Sequence, residues 1–475
     1  MSTASPPATR ERLDPAFVRL SLVMLTGTLA VVFDTTIVNI ALDTLGRQLH
    51  VPVSTIQWIT TGYLLALGMV VPTTNWLTGR FGGKNVWLAA LTIFLAGSVG
   101  ASLAPDAATL IAFRVVQGAG GGLMLTVMQT ILVQATGGRS LGRATAIIGL
   151  PALLGPVLGP VLGGLIVQHL SWRWIFWINV PFCLAGLALA WRFMPAGERD
   201  REAPLDWIGL VLLCPGIAGI IFGLSRVGAG GGFGHADVLL PLIAGAALIA
   251  AFAVRALGTD TPLVDLRLLR SPSFSAANAL MFLSGFVLYG AMLLIPLFYQ
   301  QVGGRDAFTA GLLLAPQGIG VMLSRGLAGT LTDRVGARPV TAVGLVITAL
   351  GTLPFAWAGP DTATWWLVAA LVVRGVGLGA VTIPVISSAY EGLTRDEVPH
   401  ASVITRTAQQ VGGSFGTAVL AVVLDSALAR HPGGPSDAAA AFEHTFWWSL
   451  AFTVLALVVS AWLPSRLTRR PTAAG

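Results

Sequence analysis

Charged residues are scarce in this chain of 475 residues. Asp, Glu, Lys and Arg together make up 10% of it, whereas hydrophobic residues make up 55%. The mean hydropathy is +0.79. A soluble protein of this length needs far more charge to cover its surface. The composition therefore predicts an integral membrane protein embedded in a lipid bilayer.

Cysteine and clustered metal-binding residues are scarce as well. The two cysteines, Cys183 and Cys214, both lie in apolar runs and are expected to be packing residues rather than a disulfide. The six histidines are scattered without ligand spacing, and no nucleophile–base set or nucleotide-binding loop is evident. We expect no metal, no cofactor and no enzymatic activity.

The net charge of +7 does not indicate nucleic acid. The basic residues lie between apolar runs, where charges orient membrane helices, and form no patch interleaved with aromatic residues. If the N-terminus is cytoplasmic, most arginines and the single lysine, Lys84, fall on the cytoplasmic side. This sorting predicts a multi-pass protein of the inner (cytoplasmic) membrane with both termini in the cytoplasm. Residues 1–16 are polar and are expected to be a tail, not a cleaved signal.

Apolar runs long enough to span a bilayer, about 20 residues each, predict an all-α protein with fourteen transmembrane helices. The predicted spans are residues 17–42, 55–78, 86–104, 108–134, 141–168, 174–193, 206–226, 237–257, 273–300, 308–331, 340–358, 363–389, 400–426 and 443–463.

An internal repeat divides these helices. The stretch from Asn75 to Lys84 reappears from Gly329 to Arg338, with Arg80 and Arg334 254 residues apart. Arg114 and its glycines are echoed 260 residues later by Arg374. Two similar offsets predict two six-helix halves with two extra helices between them. The expected domains are the cytoplasmic tail 1–16, an N-terminal bundle 17–193, a linker 194–272 with two helices, a C-terminal bundle 273–463 and the tail 464–475.

Two charges are expected deep in the membrane. Asp34 lies 15 residues beyond Arg19, or about 22 Å at 1.5 Å per residue, and Arg114 lies at a similar depth on another helix. A charge at the bilayer centre costs about 2.5–3.5 kcal/mol on insertion scales. The two side chains could meet, either as a static ion pair or as a site that gains and loses a proton.

The span 141–168 carries an unusual series of glycines and prolines. A Pro costs a backbone hydrogen bond, but neighbouring helices compensate for this within a membrane, and glycines let helices approach closely. The series is interpreted as an element that sets the shape and motion of a transporter, or as a kinked packing helix. Its key positions are Gly155, Pro156, Gly159, Pro160, Gly163 and Gly164.

These motifs, in this order, resemble those of the major facilitator superfamily, and within it the fourteen-span drug:proton antiporter family. The resemblance covers nearly the whole chain: the first-helix motif at 34–42, the loop motif at 80–84 and 333–338, the fourth-helix motif at 114–122, the antiporter motif at 155–164, and stretches at 172–181 and 205–209. Gly79 stands where the loop motif usually has Asp, and Asp43 and Arg325 also depart from the pattern.

The resemblance implies a proton-coupled antiporter that exports amphipathic drugs or antibiotics, with Asp34 and Arg114 coupling protons. Candidate substrate-cavity residues are Asn39, Gln117, Gln129, Asn278, Phe282, Tyr289, Gln317, Arg374 and Gln409. Arg374 is either the counterpart of Arg114 or an anion-binding group, and Arg406 is as well explained by a structural role. Candidate gating residues at the cytoplasmic helix ends are Arg80, Lys84, Asp333, Arg334 and Arg338.

Three other functions compete with drug export: proton-coupled nutrient import, lipid translocation and a non-transporting membrane scaffold. The helix-five motif favours export, and the cost of burying Asp34 argues against a scaffold. The expected partners are protons and a small drug-like molecule, with no nucleic acid, and the protein is expected to be a monomer.

Overall fold

The computed structural model describes residues 15–51, 53–136, 169–195, 205–227, 234–394, 396–430 and 434–464, with the isolated positions 159, 162, 163, 165 and 166. Within these ranges the chain is helical, with short connections and no strand. The two predicted tails lie almost wholly outside the described residues, as does most of the predicted span 141–168.

The helices fall into three consecutive groups along the chain. The first contains α1 (Pro15–Leu49), α2 (Val53–Val70), α3 (Thr74–Phe81), α4 (Gly83–Leu103), α5 (Ala107–Thr136), α6 (Trp174–Trp177) and α7 (Asn179–Phe193). The second contains α8 (Trp207–Arg226) and α9 (Ala236–Gly258). The third contains α10 (Pro272–Gln301), α11 (Ala307–Leu312), α12 (Ala315–Val335), α13 (Ala337–Thr352), α14 (Thr364–Tyr390), α15 (Glu397–Arg430) and α16 (Pro435–Ser460).

Prolines divide three segments that the sequence predicts as continuous spans. Pro72 lies in a 3-10 turn (Val71–Thr73) between α2 and α3, and Pro354 lies in a 3-10 turn (Leu353–Ala356) after α13. Pro316 stands at the start of α12, just after the break that follows α11. Because Pro lacks an N–H and clashes with the preceding turn, the α-helix ends near each of these positions.

Eleven helices among the described residues are long and apolar enough to cross a membrane. Of the other three predicted spans, 141–168 lies mostly outside the described residues. The remaining two correspond to α2, which has only 18 residues, and to α12, which carries Arg325, Asp333 and Arg334. The fold is a multi-pass helical bundle, and the count of fourteen spans stays a prediction.

Two of the hydrophobic cores each lie within one helical group, one in the first and one in the third. Trp87, Phe94 and Met124 are fully buried where α4 and α5 pack together and against α1 and α7. Phe298 and Phe442 anchor the other core, around which α10, α13, α14 and α16 pack. The domain boundaries at 193 and 273 remain predictions, but each core is built from one group of helices.

The middle pair, α8 and α9, is joined by close glycine contacts and anchored by one carboxylate. Asp206 caps α8 by accepting from the Gly209 N–H at 2.9 Å, and it also accepts from Arg255 of α9 at 2.9 Å and from the Leu263 N–H at 3.3 Å. Burial raises the pKa of Asp206, but these hydrogen bonds and the Arg255 charge outweigh it, so the pKa is lowered overall. Beyond α9, α8 packs against both α2 and α15, one helix from each of the other groups.

The repeated loop motif has the same backbone geometry in both copies. Gly82 joins α3 to α4 with φ 82° and ψ 144°, and Gly336 joins α12 to α13 with φ 92° and ψ 168°. The N–H of Gly82 donates to the Thr78 carbonyl, and the N–H of Gly336 donates to the Thr332 carbonyl. These hydrogen bonds end the preceding helices. A side chain is strained in this region of backbone conformation, so the motif needs glycine at both positions.

We predict that Gly82→Ala and Gly336→Ala each destabilise the protein by about 1–3 kcal/mol, because alanine must adopt a conformation that is almost restricted to glycine. The measurement is thermal unfolding in detergent, followed by the reaction of a fluorogenic maleimide with the buried Cys183 and Cys214. Gly79→Ala is the matched control, since a Cβ at Gly79 meets nothing within 4 Å. An equal loss of stability in the control would contradict this account.

Candidate functional site

Asp34 and Arg114 form an ion pair in the interior of the first helical group, as the sequence indicated they could. Arg114 of α5 donates from Nη1 to Oδ2 of Asp34 in α1, and the exposed fractions of the two side chains are 1% and 0%. A second guanidinium nitrogen, Nε of Arg114, donates to the Ile59 carbonyl of α2 at 3.2 Å. The pair therefore ties three helices together.

Amides complete the contacts of the carboxylate. Gln117 donates to Oδ1 of Asp34 at 2.9 Å and accepts from Arg114 at 2.7 Å, so it bridges both charges. Asn179 of α7 donates to the same oxygen at 3.1 Å and also contacts the Ser98 hydroxyl at 3.1 Å. Both carboxylate oxygens and two of the three guanidinium nitrogens, Nε and Nη1, thus have polar contacts, which a buried pair requires.

An aromatic side chain covers the guanidinium. The Arg114 carbon Cζ lies 4.1 Å from the centre of the Tyr63 ring, a cation–π distance. Tyr63 is fully buried, and its hydroxyl has no hydrogen-bond partner among the described residues. The site therefore contains a carboxylate, the guanidinium paired with it, and a phenol ring that covers the guanidinium.

Asn179, Ser98 and Tyr63 were missed as site residues in the sequence. Asn179 lies within the motif at 172–181, and its depth along α7 was the available signal. Ser98 and Tyr63 gave no signal of their own, because the sequence does not show which faces of α4 and α2 meet Asp34. Of the cavity candidates whose side chains the structure describes, only Gln117 joins this cluster directly.

Arg374 occupies the corresponding place in the third helical group. It is fully buried in α14 and donates to the Thr352 hydroxyl at 3.1 Å, to the Val287 carbonyl at 3.0 Å and to the Gln317 side chain. Each of these acceptors is neutral, and no ion pair of Arg374 occurs among the described residues. Arg374 and Gln317 thus mirror Arg114 and Gln117, but without an aspartate.

Two polar contacts join the first and third groups near the predicted cytoplasmic side. The Gln129 amide of α5 donates to the Tyr390 hydroxyl of α14 at 2.6 Å, and that hydroxyl contacts Ser402 of α15 at 3.1 Å. Asn75 of α3 lies 2.8 Å from Nε2 of His400 in α15. Gln129 is therefore placed in a contact between helical groups rather than facing an open cavity.

The remaining cavity candidates lie mainly along α10 and α15. Asn278 is buried and donates to the Phe274 carbonyl of its own helix at 2.8 Å. Phe282 and Tyr289 are half-buried, and both pack against glycine positions of α15. Gln409 accepts from Arg406 at 3.3 Å. Asn39 lies on α1, but its side chain falls outside the described residues.

The gating candidates sit at helix ends, as their sequence positions predict. Lys84 donates to the Trp191 carbonyl at the end of α7 at 2.8 Å, a favourable position for a cation. Arg80 is half-buried, whereas Asp333, Arg334 and Arg338 are exposed. A gating role for these side chains stays a prediction.

The helix-five motif can be judged at only two of its six positions. Gly155, Pro156, Pro160 and Gly164 lie outside the described residues. Gly163 is buried, and a Cβ at Gly159 would lie 2.6 Å from Cβ of Thr36 and still closer to its hydroxyl. Gly159 therefore lets this segment touch α1 at Thr36, two residues after Asp34 and on a different face of the helix.

Comparison with known proteins places this arrangement in a family. Residues 24–417 match the family model described as Major Facilitator Superfamily. The chain is 37% identical over 417 residues to the "Multidrug resistance protein B homolog" of Mycobacterium tuberculosis H37Rv, covering 87% of this chain and 77% of the relative. It is 28% identical over 469 residues to the "Lincomycin resistance protein LmrB" of Bacillus subtilis, covering 96% and 97%.

Solved structures show the same fold. The human organic anion transporter MFSD10 (TETRAN) superposes with a TM-score of 0.66 at 17% identity, covering 94% of this chain and all of that one. The proton:xylose symporter XylE superposes with a TM-score of 0.64 at 15% identity, covering 93% and 94%. The chain therefore belongs to the Major Facilitator Superfamily and is a membrane transporter rather than an enzyme.

Proposed function

We propose that the protein exports amphipathic drug-like molecules across the cytoplasmic membrane in exchange for protons, by alternating access. The observation that carries the proposal is the buried pair of Asp34 and Arg114, because a carboxylate enclosed in this way can bind or release a proton as its surroundings change. The relatives are named multidrug and lincomycin resistance proteins, and these names favour export over nutrient import.

The wider topology is part of the same proposal. Fourteen spans, cytoplasmic termini and two six-helix halves around α8 and α9 are consistent with the sorting of arginines and with the shared geometry at Gly82 and Gly336. The protein is proposed to act as a monomer in the inner membrane. The contacts of α8 with both α2 and α15 support a role for the linker pair in joining the two halves.

Protonation of Asp34 would change the balance of charge in the site. The neutral carboxyl holds Arg114 less strongly, so the guanidinium, which also contacts Ile59 and Tyr63, becomes free to shift. Because the pair joins α1, α2 and α5, such a shift alters how these helices pack. A bound drug and a bound proton can thereby favour different conformations of the same bundle.

Proton-driven exchange is tested with the purified protein in proteoliposomes whose lumen is acidic and contains the pH dye pyranine. Adding lincomycin or ethidium outside should accelerate alkalinisation of the lumen, because each drug molecule that enters is exchanged for protons. Empty liposomes are the control. No acceleration with either compound, together with no drug accumulation across a wider panel, would contradict proton-coupled export.

We predict that Asp34→Asn abolishes drug-induced proton movement. It should also destabilise the protein by about 3–5 kcal/mol, because Arg114 is left as a buried charge without its partner. The double variant Asp34→Asn, Arg114→Gln removes both charges and should recover much of this stability without recovering proton movement. Pyranine fluorescence measures proton movement, and thermal unfolding measures stability.

The matched control neutralises another Asp–Arg pair. Asp206 and Arg255 form an ion pair of 2.9 Å at the edge of the linker helices, outside the proposed coupling site. The double variant Asp206→Asn, Arg255→Gln should retain proton movement. If the Asp34 double variant is stable and still couples protons, Asp34 has only a structural role.

We predict that Gly159→Ala impairs transport because the added Cβ collides with Thr36 and pushes this segment away from α1. Combining it with Thr36→Ala removes the hydroxyl, the closest atom, and should restore part of the activity. Gly326→Ala is the control, since a Cβ at Gly326 meets nothing within 4 Å. Initial rates of drug-induced proton movement measure the effect, and unimpaired transport by Gly159→Ala would show that the close approach is not required.

We predict that Tyr390→Phe shifts the protein toward a state open to the cytoplasm. The change removes the hydrogen bond to Gln129, which joins the first and third groups, and a second one to Ser402 within the third group. The bond between the groups is worth about 0.5–1.5 kcal/mol, so populations should change several-fold. Distances between spin labels on the cytoplasmic ends of α5 and α14 report the shift. Tyr299→Phe is the control, because that buried hydroxyl has no partner. An unchanged distance distribution in Tyr390→Phe would exclude this contact as a gate.

A further inference from the structure

Asn179 leaves one of its polar atoms unused beside the ion pair. Its side chain is fully buried on α7, and its Nδ2 donates to Oδ1 of Asp34 and to the Ser98 hydroxyl oxygen, both at 3.1 Å. Its own Oδ1 is also buried and has no hydrogen-bond partner among the described residues. A buried acceptor without a donor is destabilising, so a polar atom left in this way calls for an explanation.

The two neighbours of Nδ2 fix the direction in which this amide points. The Ser98 hydroxyl donates to the Phe176 carbonyl at 2.8 Å, so its oxygen acts as an acceptor toward Asn179. The ionised carboxylate of Asp34 can only accept. Both neighbours therefore need the NH₂ end of the amide, and turning the amide over would place its oxygen against two other oxygens.

A proton that binds Asp34 is expected at Oδ1. Oδ2 accepts from the Arg114 guanidinium, whereas Oδ1 accepts from the amides of Gln117 and Asn179. Once protonated, Oδ1 is a donor through its O–H and keeps a lone pair that can still accept. The new O–H needs an acceptor, but both amides present N–H groups to it.

The two amides differ in how easily they can supply that acceptor. Oε1 of Gln117 accepts from Nη1 of Arg114 at 2.7 Å, so turning this amide over would break a charge-assisted hydrogen bond. Oδ1 of Asn179 has no such partner to lose among the described residues. Gln117 can therefore continue to donate to the carboxyl group, while Asn179 turns over to accept from it.

Turnover of Asn179 would pass the change on to α4. With the amide oxygen facing Ser98, the Ser98 hydroxyl must leave the Phe176 carbonyl and donate to Asn179 instead. Phe176 lies in α6, next to its junction with α7, so this contact of α4 with the junction is lost. Only Asp34 gains a proton in this sequence, because the amide and the hydroxyl keep their own protons and merely reorient.

We propose that Asn179 is the positioning residue that responds to protonation of Asp34. Its amide donates to the ionised carboxylate and turns over to accept the O–H of the protonated acid, and the Ser98 hydroxyl reverses with it. The proposal rests on the transport function proposed above and deepens it. It assigns the first structural response to the proton to α4 and to the junction of α6 with α7.

The test is infrared difference spectroscopy of the purified full chain in dodecyl maltoside between neutral and acidic pH, with no drug and no gradient. Wild-type protein should show a carboxyl C=O band that the double variant Asp34→Asn, Arg114→Gln lacks, and with it a change in a side-chain amide C=O band. Heavy nitrogen in the side-chain amide of asparagine should shift that amide band. The carboxyl band without any asparagine signal would overturn the proposal, and absence of the carboxyl band would contradict proton binding at Asp34 itself.

Variants assign the amide signal to one residue. Asn179→Leu removes the donor and the acceptor in a side chain of similar size, so the amide signal should disappear. The Asp34 carboxyl band should remain but move to higher frequency, because its O–H has lost an acceptor. Asn85→Leu makes the same change at an exposed position of α4 and should alter neither band. If the amide signal survives in Asn179→Leu and is lost in Gln117→Leu, Gln117 is the acceptor and the proposal is wrong.

The consequence for transport is measured separately in proteoliposomes. Asn179→Leu and Ser98→Ala should each slow drug-induced proton movement by up to about ten-fold, the effect of losing one hydrogen bond. Ser102→Ala is the matched control for Ser98→Ala, because the buried Ser102 hydroxyl donates only to the Val99 carbonyl of its own helix, at 2.7 Å. Wild-type rates in both Asn179→Leu and Ser98→Ala would contradict the proposal. Failure of exchange in the wild type, with the infrared signals present, would contradict the transport function alone.

Discussion

The pairing of Asp34 with Arg114 is the constraint around which the first group of helices is arranged. Either charge alone would be costly in an apolar bundle, and together they are tolerated only because amides and a carbonyl complete their hydrogen bonds. Gln117 and Asn179 serve the carboxylate, and Ile59 serves the guanidinium. This network uses polar groups from α1, α2, α5 and α7, so a change of charge at Asp34 would affect the contacts of four helices.

The third group repeats the scaffold of this network but not its chemistry. Arg374 and Gln317 hold the places of Arg114 and Gln117, yet Thr352 and the Val287 carbonyl stand in for a carboxylate. The two groups thus share a buried arginine, and among the described residues a carboxylate is paired with it in the first group alone. Under the proposed function, the first group is the one that would bind the proton.

The sequence predicted the broad architecture well because composition and periodic apolar runs depend on the bilayer, whose thickness fixes helix length. Asp34 and Arg114 were found because charges are conspicuous in apolar helices, and their depths agree. Tyr63 and Ser98 were not found, because the rotation of each helix about its axis depends on packing that residue spacing does not reveal. Breaks such as the one at Pro72 were missed because the apolar run continues through them.

The surroundings of Arg406 could not be predicted from the sequence. From the sequence, a guanidinium near a helix start was equally consistent with reaching toward the membrane surface. In the structure the Arg406 side chain is half-buried, and its Nε has no hydrogen-bond partner among the described residues. Spacing along a helix gives the depth of a cation, but the packing of neighbouring helices decides which of its donors find an acceptor.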